Sequence, residues 1–445
     1  MSVIERSGVV GGNAGSFELA GQAVDYGSHR LHPSCDPDVL RDIQALLGND
    51  LLDRPRHGRI RLRGRWIHFP LKPIDLALRL PPGFAVGTGV DLLAKLTRVG
   101  TPRAQTESFA SVLEAGLGRT ICRDFYFPYA QKVWGLPPTE LSPVQALRRV
   151  SAGSIARMAR KVLSAVPGLG PRGGGRFYYP RGGYGQIANA YYRAAQAAGA
   201  AFVFGATVKT VEHADDRVRA VDVEEGGRRR RLDADHVWST IPVSALVEAL
   251  RPAAPDRILE AARRIEFRAM ILVYLVLEHD RFSEYDAHYF PETAIRISRL
   301  SEPKNYGLAG TPNRTVLCAE LPCSPADPEW DLPDDDLGRI VSDALERVSL
   351  PLRVPIKEVA VRRLRQAYPI YRKGYEVHFD AIDAYLDRFT NLLTFGRQGL
   401  FAHDNTHHAL YMAYAAADCL GADGRLDRDR WRECRRVFAS HVVED

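Results

Sequence analysis

Apolar residues recur at helical spacing in a segment near the start of the chain. Residues 32–48 open with turn-forming residues, and Val39, Ile43, Leu46 and Leu47 then follow at intervals of one helical turn. This spacing predicts a helix with one apolar face.

A second and longer helical region follows. Residues 73–170 are predicted to be mainly helical and include helices within 106–118 and 142–163. Ser142 can cap the second of these helices, and Pro143 fits its first turn. Two further helices are predicted at 187–199, which ends at a glycine, and at 407–420.

Apolar and β-branched runs predict strands in the remaining parts of the chain, at 2–5, 201–214, 217–224, 236–242, 269–277 and 391–396. The run at 269–277 is apolar throughout but shorter than a membrane span, so it predicts a buried strand. No apolar run of about 18 residues occurs, and no transmembrane segment is expected. The N-terminus has no basic-then-apolar signal pattern.

Arginines account for most of the net charge of +6. Two arginine clusters lie in predicted hairpins, which turn at Gly64–Arg65 and at Gly226–Gly227. We expect their basic faces to lie in water. No nucleic-acid partner is expected, because neither a known binding module nor stacking aromatic residues accompany the charge. A basic surface is compatible with an acidic substrate or with peripheral contact at a membrane.

The six cysteines include no CxxC pair and no partners at metal-ligand spacing. Reduced thiols in a cytoplasmic protein, with no metal, are therefore expected. The sequence does not indicate the oligomeric state.

The first residues contain a pattern that fits a nucleotide cofactor. Glu5 ends a predicted strand, where an acid in a dinucleotide fold accepts hydrogen bonds from a ribose. Gly11 and Gly12 follow, and their lack of a Cβ lets the backbone pass close to a ligand. An ordinary turn explains the same residues when they are taken alone.

Four motifs, at 125–142 (FYFPYAQKVWGLPPTELS), 179–186 (YPRGGYGQ), 298–307 (SRLSEPKNYG) and 396–405 (GRQGLFAHDN), add weight to that pattern. With them, the whole chain resembles the FAD-dependent amine oxidase superfamily. It is most similar to the bacterial protoporphyrinogen-oxidase-like branch, which also resembles UDP-galactopyranose mutases. The resemblance implies a mixed α/β fold, with a discontinuous Rossmann-like FAD-binding domain and an inserted substrate domain. It assigns residues 1–70, 180–245 and 389–445 to the FAD-binding domain, 71–179 to a helical substrate or cap region, and 246–388 to an α+β substrate domain.

The resemblance also implies FAD-binding residues, namely Glu5, Gly11, Gly12, Ser16, Gly27, Val208, Gly396, Arg397, Asn405 and Thr406. Val9 and Asn13 stand where the family often has a basic residue, and Ser28 replaces a family glycine. The helix near Thr406 would point its N-terminus at the flavin, with Asp404 or Asn405 as its cap.

Candidate catalytic residues are His29, Arg30 and Arg397, and none of them is required to be a general base. The family places the segment with Tyr126, Tyr129, Lys132 and Trp134 beside the substrate cavity, although packing of the helical region explains these residues equally well. Tyr368, Tyr371 and Arg372 are weaker candidates for the same cavity. His407 and His408 are expected to pack in an ordinary way, because adjacent helical positions point in different directions.

The family begins with a strand, a GxGxxG loop and a helix, and no such unit precedes Glu5 in this sequence. Either the start lies further upstream or the chain is a truncated product. Three functions are therefore weighed. They are an FAD-dependent oxidoreductase that takes hydride from a small or amphipathic organic substrate, a non-redox flavin enzyme acting on a nucleotide sugar, and a flavin-free protein without enzymatic activity.

Overall fold

The computed structural model describes residues 1–70, 79–97, 107–149, 175–307 and 310–443. Its strands, in chain order, are β1 Ser2–Ile4, β2 Ser16–Leu19, β3 Gln22–Asp25, β4 Leu51–Pro55, β5 Gly58–Leu62, β6 Arg65–Phe69, β7 Arg176–Pro180, β8 Ala201–Val203, β9 Ala206–Ala214, β10 Arg217–Glu225, β11 Arg228–Asp233, β12 Val237–Ser239, β13 Leu250–Arg251, β14 Glu266–Leu277, β15 Ala287–Tyr289, β16 Arg299–Ser301, β17 Thr315–Cys323, β18 Ile356–Ile370 and β19 Leu392–Thr394.

The α-helices are Pro37–Leu47, Pro82–Thr97, Phe109–Leu117, Arg119–Ile121, Phe127–Trp134, Pro143–Arg149, Gln186–Ala197, Val243–Ala249, Asp256–Arg264, Lys304–Gly307, Asp334–Arg347, Tyr375–Leu386, Gly396–Gly399, Thr406–Asp418 and Arg428–Ala439. A π-helical segment, Cys122–Tyr126, joins two of them. No helix in the described ranges has both the length and the apolar character needed to cross a membrane.

Two parallel strand pairs bring distant parts of the chain together. Strand β1 pairs with β8, and β12 pairs with β19. These pairs join the start of the chain to its middle and the middle to its last part, as the predicted discontinuous FAD-binding fold requires. The predicted strand at 201–214 is interrupted between β8 and β9, where Gly205 adopts a positive φ of 65°.

The largest sheet in the described part of the chain has seven strands, in the order β18-β14-β17-β16-β15-β5-β6. Strand β14 contains the apolar run at 269–277, and the prediction of a buried strand is confirmed. Ile271 and Val273 pack in the cluster that includes Val341 of helix Asp334–Arg347, whereas Leu272 packs in the cluster on the opposite face with Val24. Both faces are covered, which explains a continuous apolar run rather than an alternating one.

The first predicted helix is present as Pro37–Leu47, and its Val39, Ile43 and Leu47 are buried. Leu46 is 38% exposed, so its assignment to the apolar face was wrong. Of the helix predicted at 142–163, the structure describes Pro143–Arg149, and the rest lies outside the described residues.

The first basic hairpin differs from the prediction in two respects. Leu62 pairs with Arg65, so the turn is Arg63–Gly64, one residue earlier than expected. Its arginines are also not simply in water. The Arg59 guanidinium lies 4.2 Å from the Trp66 ring centroid, and Arg61 forms an ion pair with Glu292. Trp66 lies in the same hairpin, whereas Glu292 follows β15, so the second contact joins the hairpin to the neighbouring part of the sheet.

The second basic hairpin follows the prediction. Glu225 pairs with Arg228, which places the turn at Gly226–Gly227, and the arginines of β11 are exposed.

Candidate active site

A cavity of about 1430 Å³ lies between the seven-stranded sheet and the region of the two parallel strand pairs. Its walls come from the glycine turn near the N-terminus, residues 28–30, helix Gln186–Ala197, the end of β18, and two loops around 395–398 and 403–406. Thr240 and Pro242, which follow β12, also line it. The predicted cofactor pieces therefore surround one space.

The glycine turn presents bare backbone to this cavity. Gly11 has a φ of +103°, and a Cβ added there would lie 3.1 Å from the Cβ of Ala188 and 3.2 Å from the Cα of Gly15. At Gly12 a Cβ would point into open space. A side chain at Gly11 is excluded by both strain and contact, whereas one at Gly12 would occupy the space that a ligand could use.

Three segments meet at the end of β18. The carbonyl of Gln366 accepts hydrogen bonds from Asn13 Nδ2 at 3.3 Å and from Gln398 Nε2 at 2.7 Å. Arg397 donates to the carbonyl of Ala367 at 2.8 Å, and its guanidinium lies 5.0 Å from the Tyr368 ring centroid. The buried Gln398 Oε1 has no hydrogen-bond partner. A ligand that donates a hydrogen bond would satisfy this oxygen.

Asp25 fixes the loop that leads to His29 and Arg30. Its carboxylate accepts from Ser16 Oγ at 2.6 Å, from the Tyr184 amide at 2.8 Å and from Tyr179 Oη at 2.7 Å. Burial raises the pKa of this carboxyl group, although the three donors oppose that rise. Ser16 also accepts from the amide of Gly185, so its hydroxyl is used within the protein, and Ser16 does not line the cavity.

His29 lines the cavity as a neutral imidazole. Nε2 lies 3.0 Å from the carbonyl of Tyr26, which can only accept, so Nε2 carries the proton. The ring stacks on Tyr184 at 5.3 Å between centroids. Burial lowers the pKa of His29, and Nδ1 has no hydrogen-bond partner in the described protein. The arrangement leaves the Nδ1 lone pair of this cavity-lining residue without a partner among the described residues.

Buried ion pairs fix the part of the cavity wall that lies next to His29. Arg30 contacts Asp286 at 3.2 Å and the Tyr289 hydroxyl at 3.1 Å. Arg299 donates twice to Glu320 Oε1, at 2.9 and 2.6 Å. The same oxygen accepts from the backbone amide of Ser28 at 3.0 Å, so the sheet fixes the loop that carries His29.

Helix Thr406–Asp418 begins at the cavity, and Asn405 and Thr406 both line it. Asn405 is the cap, since its side chain accepts from the amide of His408 and the His408 ring accepts from the amide of Asn405. Of the two predicted caps, Asp404 is therefore not used. Its fully buried carboxylate lies 3.8 Å from Arg148 and 3.5 Å from His441 Nδ1. Burial lowers the pKa of His408 to about 3.

Asp404, His408 and His441 place potential metal-ligand atoms within 4.8 Å of one another. However, the Arg148 guanidinium lies 3.8 Å from the carboxylate, and the Asn405 amide occupies His408 Nδ1. We assign no metal to this cluster, because a dication would add to the positive charge of Arg148.

The structure brings together only part of the predicted site. Gly11, Gly12, His29, Arg30, Tyr129, Tyr368, Gly396, Arg397, Asn405 and Thr406 line the cavity, whereas Glu5, Ser16, Gly27, Val208, Tyr126, Lys132, Trp134, Tyr371 and Arg372 do not. Glu5 directly follows β1 and accepts from the Ser7 amide at 2.7 Å. Gly27 packs against Glu320, and Val208 packs in a core cluster.

The four predicted substrate residues divide by helix face. Tyr129 reaches the cavity together with Val133, one turn later. Trp134 points into the core, where it packs edge-on against Phe109 at 5.6 Å. Tyr126 packs edge-on against Phe125 at 4.8 Å.

Lys132 contacts backbone carbonyls and lies outside the cavity lining. Its Nζ donates to the carbonyls of Phe290, Glu292 and Ile297, which joins helix Phe127–Trp134 to the sheet layer. Burial lowers the pKa of this amine to about 7. All three donors of the ammonium group are used, so no donor is left for a substrate.

Sequence reasoning did not assign Asp25, Tyr184, Tyr289 or Glu320 to the site. Arg299 lies within the quoted motif 298–307, but its pairing with Glu320 depends on the register of β16 and β17. The local sequence gives no sign of these contacts.

A discontinuous α/β fold with a large cavity at a glycine turn and a helix N-terminus is typical of proteins that bind a nucleotide cofactor. Residues 1–409 match the family model described as flavin containing amine oxidoreductase, and the chain belongs to this family. FAD is accordingly its cofactor, and the open backbone at Gly12 and the unsatisfied Gln398 Oε1 fit such a group.

Solved structures support the same fold. A reduced UDP-galactopyranose mutase superposes with a TM-score of 0.77 at 19% identity, covering 93% of this chain and 87% of its own. A candidate protoporphyrinogen oxidase from Exiguobacterium sp. 255-15 gives 0.68 at 15% identity, with 89% and 88% covered. Putrescine oxidase with bound putrescine gives 0.59 at 17% identity, with 85% and 84% covered. A comparison with curated proteins gave no match.

Proposed function

We propose that the protein is an FAD-dependent oxidoreductase that removes hydride from a C–H bond of a small or amphipathic organic molecule. When bound, FAD supplies the hydride acceptor. The observation that carries the proposal is the neutral His29, which lines the cofactor cavity and whose Nδ1 has no hydrogen-bond partner among the described residues. Oxidation of an alcohol or amine carbon releases a proton as well as hydride, and this nitrogen can accept it.

The residues that would hold FAD are those whose backbone or side chains line the cavity. They include the glycine turn at Gly11 and Gly12, the loop with Gly396 and Arg397, and the first residues of helix Thr406–Asp418. Backbone amides and the helix dipole at that end favour negative charge. Glu5 lies outside the cavity lining, but it directly follows the parallel strand β1, and we keep its proposed role toward the ribose on that ground.

The surrounding contacts hold His29 in one orientation. Its Nε2 proton is committed to the Tyr26 carbonyl, and Tyr184 supports one face of the ring. Arg30 is committed to Asp286, so we assign it to positioning this loop rather than to proton transfer. On the substrate side, Tyr129, Tyr289 and Tyr368 present aromatic surface to the cavity.

The test is anaerobic reduction of the bound flavin by candidate substrates, followed as bleaching of its visible absorption in a stopped-flow instrument. His29→Gln should keep its flavin but reduce the rate about 10²–10⁴-fold, the range for loss of a positioned proton acceptor. His213→Gln is a matched control, because His213 is outside the cavity lining. Purified protein without flavin, or His29→Gln with an unchanged rate, would contradict the proposal.

A second candidate, a non-redox enzyme acting on a nucleotide sugar, is favoured by the arginines in the cavity lining, which could hold a diphosphate. The two functions differ in the use of reductant. In the second case NAD(P)H would activate the flavin once and would not be consumed during turnover.

The oxidation state of the cysteines gives evidence about the cellular compartment of the protein. All six are free thiols and five are buried, which fits a reducing environment. We propose the cytoplasm as the location, and thiol labelling in intact cells would test it.

A further inference from the structure

Helix Pro82–Thr97 presents an apolar outer face. Val86, Val90 and Leu93 are 64%, 58% and 64% exposed, and they follow one another at intervals of one helical turn. Among the positions of this helix whose burial the structure describes, the exposed ones are occupied only by proline, glycine, alanine, valine and leucine. A surface helix ordinarily has polar residues on its outer face. This face therefore marks an interaction surface.

The opposite side of the helix is packed against the protein, so the exposed residues cannot simply turn inward. Phe84 is buried in a cluster with Ile60 of the first basic hairpin. A Cβ added at Gly87 would lie 2.7 Å from Thr120 Oγ1, and Asp91 accepts a hydrogen bond from the Thr120 amide at 2.7 Å. These contacts fix which face of the helix points outward.

The two elements that pack against this helix carry exposed arginines. Arg65, in the first basic hairpin, donates to the carbonyl of Arg79 at 3.1 Å, three residues before the helix begins. Arg119 is exposed and directly precedes Thr120, which contacts the helix. Neither Arg65 nor Arg119 has an ion pair within the described part of the chain. Two guanidinium groups beside the helix therefore keep their charge.

The carboxylates of the same elements do not balance the arginines. Asp124 is shared by Arg63 and Arg123, and Asp91 is committed to a backbone amide. The hairpin, the helix and residues 118–126 contain six arginines against these two acids. The acids that reach these arginines from other elements are Glu284 and Glu292. An excess of positive charge remains even when both are counted.

We propose that the outer face of helix Pro82–Thr97, with Arg65 and Arg119 beside it, docks on a membrane surface that contains anionic lipid. The apolar side chains would enter the boundary between headgroups and acyl chains, and the arginines would meet lipid phosphates. A second copy of the chain fits this surface less well, because a symmetric contact would bring the same arginines toward one another. The surface lies outside the cavity lining, and the inference does not rest on the proposed function.

The test is sedimentation of the purified full chain with two kinds of vesicle, one of phosphatidylcholine alone and one of phosphatidylcholine and phosphatidylglycerol in equal parts. The protein should bind the mixed vesicles more tightly, and added salt should weaken this binding because salt screens the arginines. Binding to neither kind of vesicle would overturn the inference.

The double variant Val86→Ser/Val90→Ser should weaken binding to the mixed vesicles about tenfold or more, because two valines would no longer be buried on docking. The matched control is Val377→Ser/Val437→Ser, since both of these valines are exposed on other helices. Equal weakening in the two double variants would contradict the inference. Self-association in light scattering that only Val86→Ser/Val90→Ser abolishes would assign the face to a second copy and would also overturn it.

Arg65→Gln/Arg119→Gln tests the contribution of charge. This double variant should bind the mixed vesicles about tenfold more weakly, as expected for two basic residues near an anionic surface, and should bind phosphatidylcholine vesicles as before. Arg228→Gln/Arg230→Gln is the control, because it removes the same charge from the exposed strand β11. An equal loss in this control would show that net charge rather than this surface attracts the protein, which would contradict the inference.

Discussion

Replacing Gly11 with alanine tests whether the glycine turn is shaped for a close ligand. A non-glycine residue at φ +103° costs about 1–3 kcal/mol, and the new Cβ would also lie 3.1 Å from Ala188 and 3.2 Å from Gly15. Helix Gln186–Ala197 closes one side, so the turn has to move away from Ala188. If bound FAD must reverse that shift and restores about 1.4 kcal/mol of strain, its affinity falls about tenfold.

Gly199→Ala separates strain from ligand contact. Gly199 follows the same helix with a φ of +88°, and a Cβ there meets no atom within 4 Å. Both variants should lower the melting temperature, by about 2–4 °C, but only Gly11→Ala should raise the FAD dissociation constant, measured by fluorescence titration of apoprotein. Equal FAD affinity in Gly11→Ala and in the unmodified protein would refute the reasoning.

Three further predictions concern buried polar groups. Lys132→Met leaves three carbonyls without a donor and should lower the unfolding free energy by several kcal/mol, at about 1–3 kcal/mol each, while flavin content per protein stays unchanged. The folded-state pKa of Lys132 is about 7 and its unfolded value is 10.5, so the folded state binds fewer protons between these values. Stability should therefore rise with pH over that range, and urea titrations should show a shallower rise in Lys132→Met. Asp25→Ala should unfold at clearly lower urea than Asp25→Asn, which keeps one acceptor oxygen for Ser16 and Tyr184; equal midpoints would contradict the assigned hydrogen bonds. Because burial lowers the pKa of His29, the rate of flavin reduction should stay constant down to about pH 6.5 and fall only below it, whereas a midpoint above pH 7 would contradict a buried neutral imidazole.

Elements that are determined by local pattern were predictable. The continuous apolar run of β14 and the apolar face of helix Pro37–Leu47 are visible in the sequence, because burial of a strand or helix face has a fixed period. The turn at Gly226–Gly227 was likewise given by its residue types.

Contacts between distant segments were not predictable. The first basic hairpin was expected to face water, but Arg61 meets Glu292 and Arg59 meets Tyr285. The sequence near residues 59–69 does not indicate those partners. The same limit explains why the pair formed by Arg299 and Glu320 was missed, since it exists only once β16 and β17 are in register.

The candidate site contains both residues that the sequence could identify and residues that it could not. Gly11 and Gly12 were identified because glycine itself marks a bare backbone. In the segment from Tyr126 to Trp134, by contrast, residue types could not show which helix face meets the cavity. Tyr129 does, while Lys132 contacts carbonyls of the neighbouring layer.

One cavity is lined both by the glycine turn at Gly11 and Gly12 and by residues 395–406, and this arrangement sets an order of events during synthesis. The glycine turn leaves the ribosome first, but the loop at Gly396 and the helix beginning at Thr406 follow roughly 20–80 s later at ordinary translation rates. A nascent chain therefore exposes half of a cofactor cavity for most of its synthesis. Capture of the cofactor has to be a late event, in which the final residues close a space that the first residues opened.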